Sequence, residues 1–207
     1  MSKPRGSAKS WRERQEKDPY VQRARRDGWR SRAVYKLEEL DQKERLLRPG
    51  MCCVDLGAAP GSWSQYVTEK LKGNARIVAI DLLPMDALPN TDFIQGDFTE
   101  DKVLEELQRL VGEQKVDLVM SDLAPNISGN RAIDQPRAMY LAELALDFAR
   151  QVLAERGNFV IKLFQGAGID PFITDVRSSF STVKVRKPKA SRAGSREVYL
   201  VARNYRL

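Results

Sequence analysis

The sequence of 207 residues contains no histidine, only two cysteines and no long uninterrupted apolar run. The lack of histidine excludes every Ser-His or Cys-His nucleophile arrangement and the usual histidine-ligated metal sites. Proton chemistry must therefore use Lys, Asp, Glu or Tyr. The two cysteines, Cys52 and Cys53, are adjacent in an apolar stretch. This favours core residues of a strand over a disulfide or two corners of a zinc site, and we expect no metal.

The absence of long apolar segments also bears on location. No run of about 18 apolar residues is present to span a bilayer. The first residues, MSKPRGSAKSWRERQ, are basic but lack the apolar stretch of a secretory signal. We therefore expect a cytoplasmic protein with no membrane partner. Its 207 residues and 42% hydrophobic content suit one domain with one sizeable core.

Charge is distributed unevenly along the chain, although the net charge is only +7. Residues 1–36 have 12 Lys and Arg against 4 Asp and Glu, residues 37–176 have 14 against 23, and residues 177–207 have 9 against 1. Aromatic residues alternate with the arginines of the first segment, which suits phosphate neutralisation and base stacking. Basic ends can also be simple solvated tails. If the fold brings both ends to one face, we expect that face to bind a polyanion.

The pattern of apolar residues predicts an α/β protein. Residues 1–18 are polar, charged and aperiodic, which indicates a basic flexible arm, and residues 19–207 are expected to form a single domain. Apolar runs typical of strands alternate with helical spacing, and these runs lie near 51–56, 76–80, 92–95, 116–120 and 158–164. The polar loop PKASRAGS separates two last strands, near 182–187 and 196–201. They predict an antiparallel hairpin at the end of an otherwise parallel sheet.

Acidic residues end several predicted strands, where ligands bind in open α/β sheets. The first strand leads into DLGAAPGSW, in which Gly57 and Gly61 permit a tight turn and a close approach to a ligand. Asp81 ends the second strand and can accept hydrogen bonds from both hydroxyls of a ligand ribose. Asp97 follows the third strand and can bind the exocyclic amine of an adenine. Each acid alone is more often a helix cap or turn residue, but their joint placement favours a nucleoside ligand.

The loop after the first strand argues against a dinucleotide. A pyrophosphate fingerprint needs Gly-x-Gly-x-x-Gly, whereas residues 58–60 are Ala-Ala-Pro and bulky Trp63 begins the helix. S-adenosylmethionine has an adenosine but no pyrophosphate, and we expect it as the cofactor. Its amino acid part would lie against residues 57–63.

Two further residues indicate the methyl acceptor. Asp122, in SDLAPN, ends the fourth strand and would face the reactive end of the cofactor. The aromatic residue that amino-directed methyltransferases usually have here is absent, and both cysteines lie on the wrong element for cytosine carbon methylation. An oxygen acceptor remains. Lys162 lies in the apolar run NFVIKLF, where a buried lysine is costly unless it is paired or at the rim of a site, although a lysine that reaches solvent also fits.

A family resemblance covers nearly all of residues 20–201, in the segments RSRAVYKLEEL, VDLGAAPGSWSQY, DLLPM, QGDF, SDLAPNISG, RAMYLAELAL, VIKLFQG and KVRKPKASRAGSREVYLVA. These segments resemble the FtsJ-type ribosomal RNA large-subunit 2′-O-methyltransferases. The resemblance implies a Rossmann-like S-adenosylmethionine-dependent methyltransferase fold with a mostly parallel seven-stranded sheet. It also implies that the acceptor is a uridine ribose 2′-hydroxyl in the peptidyl-transferase region of 23S rRNA. Ser62, where relatives often have glycine, is a local departure.

The resemblance also implies roles for single residues. The family's catalytic Lys-Asp-Lys-Glu set falls on Lys36, Asp122, Lys162 and Glu197, although spacing alone does not distinguish the first or the last. Its cofactor contacts fall on Gly61, Trp63, Asp81, Asp97 and Asp122. Lys162 is the best candidate for the base that takes the hydroxyl proton.

The expected partner is 23S rRNA, within the large ribosomal subunit or its precursor, and the protein is expected to be a monomer. Two alternatives stay open. One is a small-molecule or protein O-methyltransferase on the same fold. The other is a noncatalytic RNA-binding ribosome-assembly factor, in which the catalytic set would be eroded, whereas here it is intact.

Overall fold

A seven-stranded sheet forms the centre of the part of the chain that the computed structural model describes, residues 16–206. Its strands are β1 (Met51–Leu56), β2 (Ala75–Asp81), β3 (Thr91–Gln95), β4 (Val116–Ser121), β5 (Leu153–Phe164), β6 (Phe180–Arg186) and β7 (Glu197–Tyr205). They lie in the order β3-β2-β1-β4-β5-β7-β6. Strands β1 to β5 pair in parallel, and β7 is antiparallel to both of its neighbours. The predicted α/β fold class is confirmed.

Helices cover both faces of the sheet. They are α1 (Pro19–Arg26), α2 (Val34–Glu44), α3 (Ser62–Lys70), α4 (Asp101–Val111), α5 (Arg131–Val152) and α6 (Ile169–Ser179). Buried residues of α1, α2 and α3 join one apolar cluster, and those of α4, α5 and α6 join the other. The fold is therefore a three-layer arrangement with the sheet in the middle.

Strand β1 shows how one sequence serves both layers. Cys52, Val54 and Leu56 belong to the cluster on the α4–α6 face, whereas Met51 and Cys53 belong to the other cluster. All six residues of the strand are buried, which explains its nearly continuous apolar sequence. Both cysteines are free and fully buried, as predicted for core residues.

The hairpin at the end of the chain positions the site. Strand β7 lies between β5 and β6, so the terminal hairpin is confirmed with β6 as the outer strand. The beginning of β7 therefore lies beside the end of β5, where Glu197 is opposite Phe164 and Tyr199 is opposite Lys162. The predicted catalytic residues Lys162 and Glu197 are therefore on neighbouring strands, close to the same edge of the sheet.

Most of the predicted basic arm, residues 1–15, lies outside the described residues. Asp18, the last residue assigned to the arm, caps α1, because its carboxylate accepts a hydrogen bond from the Tyr20 N–H at 3.0 Å. Among residues 16–206, no helix has both the length and the apolar composition needed to cross a membrane.

Candidate active site

A cleft of about 220 Å³ opens at the carboxyl ends of the parallel strands. Because these ends meet at one edge of the sheet, residues that follow different strands converge there. The lining includes Gly57, Asp81, Gly96, Asp97, Phe98 and Asp122. Three acids that the sequence placed at strand ends thus share one cleft.

The carboxylate of Asp81 is held by backbone amides. One oxygen accepts from the Ala59 N–H at 2.9 Å, and the other accepts from the Leu83 N–H at 2.8 Å. Each carboxylate oxygen can accept more than one hydrogen bond, so both still have acceptor capacity for a ligand. Asp97 combines two roles, since Oδ1 accepts from the N–H and the hydroxyl of Thr99 while the residue lines the cleft.

The loop between β1 and α3 needs its glycines. Gly57 and Gly61 have φ angles of 78° and 101°, in the left-handed region. A Cβ on Gly57 would lie 3.0 Å from the Leu123 backbone nitrogen, and one on Gly61 would lie 2.7 Å from Met85 Sδ and 2.8 Å from Arg30 Nη1. A side chain at Gly57 would press on Leu123 across the cleft, whereas one at Gly61 would displace the side chains of Met85 and Arg30 beside the loop.

Arg30 fastens this loop, a role that the sequence did not reveal. Its guanidinium donates to the backbone oxygens of Pro60 at 3.0 Å, Asp86 at 2.7 Å and Ala87 at 2.9 Å. One side chain therefore connects the segment before α2, the loop after β1 and the loop after β2. An arginine in a basic segment usually suggests phosphate binding. Only the fold shows that the guanidinium of Arg30 donates its hydrogen bonds to backbone oxygens.

Trp63, also predicted to contact the cofactor, differs from Asp81, Asp97 and Asp122 because its side chain does not line the cleft. Its side chain is buried, its indole N–H donates to the Ala33 backbone oxygen at 2.8 Å, and its ring packs against Tyr199. The backbone N–H of Trp63 belongs to the first turn of α3, whose N–H groups have no acceptor within the helix. The departure at Ser62 is accommodated, because its hydroxyl lies 2.8 Å from that of Ser31.

The four predicted catalytic residues form two ion pairs. Lys162 Nζ lies 3.2 Å from Asp122 Oδ1 and donates to the Asp122 backbone oxygen at 2.7 Å. Lys36 Nζ lies 2.7 Å from the Glu197 carboxylate. Tyr199 connects the pairs: its hydroxyl donates to Asp122 Oδ1 at 2.7 Å, and its ring centroid is 5.7 Å from Lys36 Nζ.

Burial and neighbouring charges together shift the pKa values of two acids at this edge of the sheet. Burial alone would raise the pKa of Asp122, but Lys162, Lys36 and the Tyr199 hydroxyl together hold this pKa below its ordinary value. Asp55, near the end of β1, forms no ion pair with a cation of residues 16–206. Its burial, assisted by the charges of Asp122 and other nearby acids, raises its pKa to about 7, although the Ser64 hydroxyl donates to its carboxylate.

Tyr199 was not identified as a site residue from the sequence. The only signal in the sequence is its spacing of two residues from Glu197. Side chains alternate across a strand, so Tyr199 lies on the same face of β7 as Glu197, two residues earlier. In SREVYLV the tyrosine is an ordinary strand residue. Its importance follows from the residue opposite it, Lys162, which depends on the order of the strands.

A second pocket, of about 320 Å³, lies next to the Lys36–Glu197 pair. It is lined by Arg32, Lys36, Arg192, Ser195 and Glu197. The carboxylate of Asp18 pairs with Arg32 and lies 3.6 Å from Arg192 Nε, and Arg32 also donates to the Ala190 backbone oxygen. The described parts of the two basic ends of the chain therefore meet at one pocket.

The strand order and the cleft at the carboxyl ends of the strands define a Rossmann-like methyltransferase fold. Residues 29–205 match the FtsJ-like methyltransferase family, and the chain belongs to this family. It is 56% identical over 201 residues to ribosomal RNA large subunit methyltransferase E of Legionella pneumophila strain Corby, with 97% of this chain and 98% of that protein covered. The protein of the same name from strain Lens is 55% identical with the same coverage.

Comparison with solved structures gives the same fold. A Plasmodium falciparum protein assigned as a ribosomal RNA methyltransferase is 33% identical, with a TM-score of 0.77 and coverage of 86% of this chain and 98% of that chain. Human methyltransferase-like protein 13, at 16% identity and a TM-score of 0.60, matches over 83% of this chain and 82% of its own. The second likeness concerns the fold alone. The predicted family and the predicted fold are confirmed.

Proposed function

We propose that this FtsJ-like methyltransferase transfers a methyl group from S-adenosylmethionine to the ribose 2′-hydroxyl of a uridine in 23S rRNA. The observation that carries the proposal is the Lys162–Asp122 ion pair. Asp122 lines the cleft, and Lys36, the second cation that lowers its pKa, lines the second pocket with Arg32 and Arg192. The name of the Legionella relatives supports the large ribosomal subunit as the source of the RNA. A monomer that works in the cytoplasm is part of the same proposal.

The residues of the cleft fit this cofactor. Asp81 keeps acceptor capacity for two ribose hydroxyls, and Asp97, which lines the same cleft, would accept from an adenine amine. The first-turn N–H groups of α3, including that of Trp63, would meet the carboxylate of the amino acid part. Gly61, directly before α3, has a φ of 101°, which a residue with a side chain would adopt only with strain. When bound, the cofactor supplies an electrophilic methyl group on a sulfonium.

Lys162 would orient the ribose hydroxyl and take its proton. An ammonium group has three N–H donors, and the backbone oxygen and carboxylate of Asp122 use two of them. The third N–H would donate to a substrate oxygen. In its neutral form the same nitrogen offers a lone pair in that direction, which is the requirement for a general base. Alignment of this oxygen with the methyl group supplies most of what an in-line transfer needs.

Lys36 and Glu197 would extend the site towards RNA. Their side chains are only 13% and 12% exposed, so the ion pair is held between α2 and β7. The pocket beside them brings Arg32 and Arg192 to the same place. Guanidinium groups bind phosphate through charge-assisted hydrogen bonds, which suits the phosphates on either side of a target ribose.

The test follows the methyl group to its acceptor atom. Protein would be incubated with S-adenosylmethionine labelled in the methyl group, and with either naked 23S rRNA or large-subunit particles from cells that lack the enzyme. A 2′-O-methyl group blocks attack of that oxygen on the neighbouring phosphate. The labelled dinucleotide should therefore resist alkaline hydrolysis and contain uridine.

The control variants separate catalysis from general damage. Asp122→Asn should lose labelling, whereas Lys70→Ala, at an exposed position of α3, should label as the parent does. Label that appears in a base, in a protein or in a mononucleotide released by alkali would overturn the proposed acceptor. A difference between naked rRNA and particles identifies the physiological substrate in either case.

A further inference from the structure

Tyr199 occupies the centre of the candidate active site. It lies on β7 directly opposite Lys162, and its side chain is fully buried. Its hydroxyl donates to Asp122 Oδ1 at 2.7 Å, and Lys162 Nζ approaches the same oxygen at 3.2 Å. Asp122 Oδ1 thus contacts both the Tyr199 hydroxyl and the Lys162 ammonium group, and both contacts orient the carboxylate.

The ring of Tyr199 is fixed from several directions. Its centroid lies 5.8 Å from that of Trp63, whose indole N–H is itself anchored on the Ala33 backbone oxygen. Lys36 Nζ lies 5.7 Å from the same centroid. In a close-packed interior a ring held in this way cannot swing aside without moving its neighbours. The hydroxyl is therefore a rigid donor.

The hydroxyl also keeps its proton. Burial first, and then the charge of Asp122, raise the pKa of Tyr199 well above its ordinary value, so the phenol stays a donor at every working pH. In return, its hydrogen bond helps Lys162 and Lys36 to keep the pKa of Asp122 low against the effect of burial. The hydrogen bond therefore favours the charged form of Asp122 and the protonated form of Tyr199.

We infer, on the basis of the proposed function, that Tyr199 is a positioning residue for methyl transfer, because its hydroxyl fixes the Asp122 carboxylate that aims Lys162 at the ribose oxygen. Without this hydroxyl the carboxylate could rotate. The free donor or lone pair of Lys162 would then point away from the acceptor. Such a change slows the chemical step and leaves binding of cofactor and RNA nearly intact.

The test is Tyr199→Phe, which removes one oxygen and keeps the ring. The matched control is Tyr66→Phe, because Tyr66 is also buried and its hydroxyl also donates to a carboxylate, that of Asp41, at 3.1 Å. Single-turnover rates would be measured at saturating cofactor and RNA, together with both affinities. We expect Tyr199→Phe to be slower by about 10-fold with unchanged affinities, because a hydrogen bond to a charged group is removed. Tyr66→Phe should keep the parental rate.

A pH profile distinguishes positioning from simple destabilisation. Tyr199→Phe should move the acid limb of the rate profile to higher pH, because Asp122 loses a donor that favours its charged form. Uniform replacement of tyrosine by 3-fluorotyrosine, a stronger donor of nearly the same shape, should move it the other way. That second shift should be absent in the Tyr199→Phe background.

The outcomes are distinguishable. A folded Tyr199→Phe protein with the parental rate and acid limb, beside an inactive Asp122→Asn protein, overturns the role of Tyr199 alone. An Asp122→Asn protein with the parental rate overturns the roles of both Asp122 and Tyr199, and the proposed function itself is overturned only if the parental protein places no label on a ribose 2′-hydroxyl. Equal loss of rate in Tyr199→Phe and Tyr66→Phe would show that the loss comes from stability, and it would also overturn the inference.

Discussion

Lys36 Nζ lies 2.7 Å from the Glu197 carboxylate, and this ion pair joins α2 to the first residue of β7. The same helix is attached to the hairpin further along, where buried Glu44 pairs with Lys184 and Arg186 of β6. Glu44, an acid of the central segment, and the Lys36–Glu197 pair thus hold the basic C-terminal segment against α2. The uneven charge along the chain therefore contributes to assembly of the site.

The pair predicts unequal effects of its two members. Glu197→Gln keeps the shape but removes the charge that holds Lys36, so we expect kcat/KM for RNA to fall by about 10-fold, near 1.4 kcal/mol. Lys36→Ala should cost more, because it also removes a cation that lowers the pKa of Asp122. Methylation rates at varied RNA concentration check both. A parental kcat/KM for Lys36→Ala would show that the pair is only structural.

The strand-end residues of this site were predictable from sequence. Asp81, Asp97 and Asp122 follow apolar runs that are recognisable as strands, and the carboxyl ends of parallel strands meet at one edge whatever the details of packing. All three line one cleft. Local pattern was sufficient because only the end of each strand had to be located.

The other half of the site depends on tertiary structure. Lys36 and Glu197 came from family resemblance, because no local pattern shows that β7 lies between β5 and β6. Tyr199 was missed for the same reason. The side chain of Trp63 faces α2 instead of the cleft, since its indole N–H is satisfied by the Ala33 backbone oxygen. That interaction depends on how two helices pack.

Asp81 provides a test of the cofactor site. Asp81→Asn should weaken S-adenosylmethionine binding by roughly 10- to 100-fold, because the ribose hydroxyls lose a charged acceptor worth about 1.5–3 kcal/mol. Calorimetry on the folded variant measures this. Asp92→Asn, at an acid paired with Arg76, is the control and should bind as the parent does. Equal affinities of all three proteins would remove Asp81 from the site.

Asp55 predicts a fall in stability as pH rises. Its pKa is raised by burial to about 7, from an ordinary value of 3.8. Between these values the folded protein keeps a proton that the unfolded chain has released, so the free energy of unfolding decreases with pH across this window. The contribution is of the order of 2–4 kcal/mol. Asp122 and Glu44, with lowered pKa values, act in the opposite direction, but at lower pH.

Urea unfolding of the ligand-free protein at pH 5 and pH 8 measures this effect. Asp55→Asn has no proton to lose, so its stability should change less between the two pH values than that of the parent. Ser64→Ala removes the hydroxyl that donates to the charged carboxylate at 2.7 Å, and it should make the fall larger. Identical pH dependence in all three proteins would contradict the assignment.

The N-terminal segment predicts a salt effect. Removal of residues 1–15, which contain five Lys and Arg, should weaken RNA binding and flatten its salt dependence. The log–log slope should decrease by about 0.7–0.9 for every phosphate that the protein no longer neutralises. This deletion keeps Asp18, which caps α1. A full-length variant with the five cations changed to Gln should behave alike, with cofactor affinity unchanged. An unchanged slope in both proteins would show that the segment does not bind phosphate.

Lys162 provides the decisive test of mechanism, because its side chain is only 8% exposed and is held by Asp122 alone among the acids of the described residues. Lys162→Ala should lower the single-turnover rate by roughly 10²–10⁴-fold, the usual range for a general base, with little change in affinities. Lys162→Arg keeps the charge but cannot supply a neutral base at ordinary pH. An inactive Arg variant therefore indicates proton abstraction, whereas substantial activity indicates orientation and electrostatics. A folded Ala variant that transfers methyl groups at the parental rate, when saturated with cofactor and RNA, would leave Lys162 with no part in the reaction.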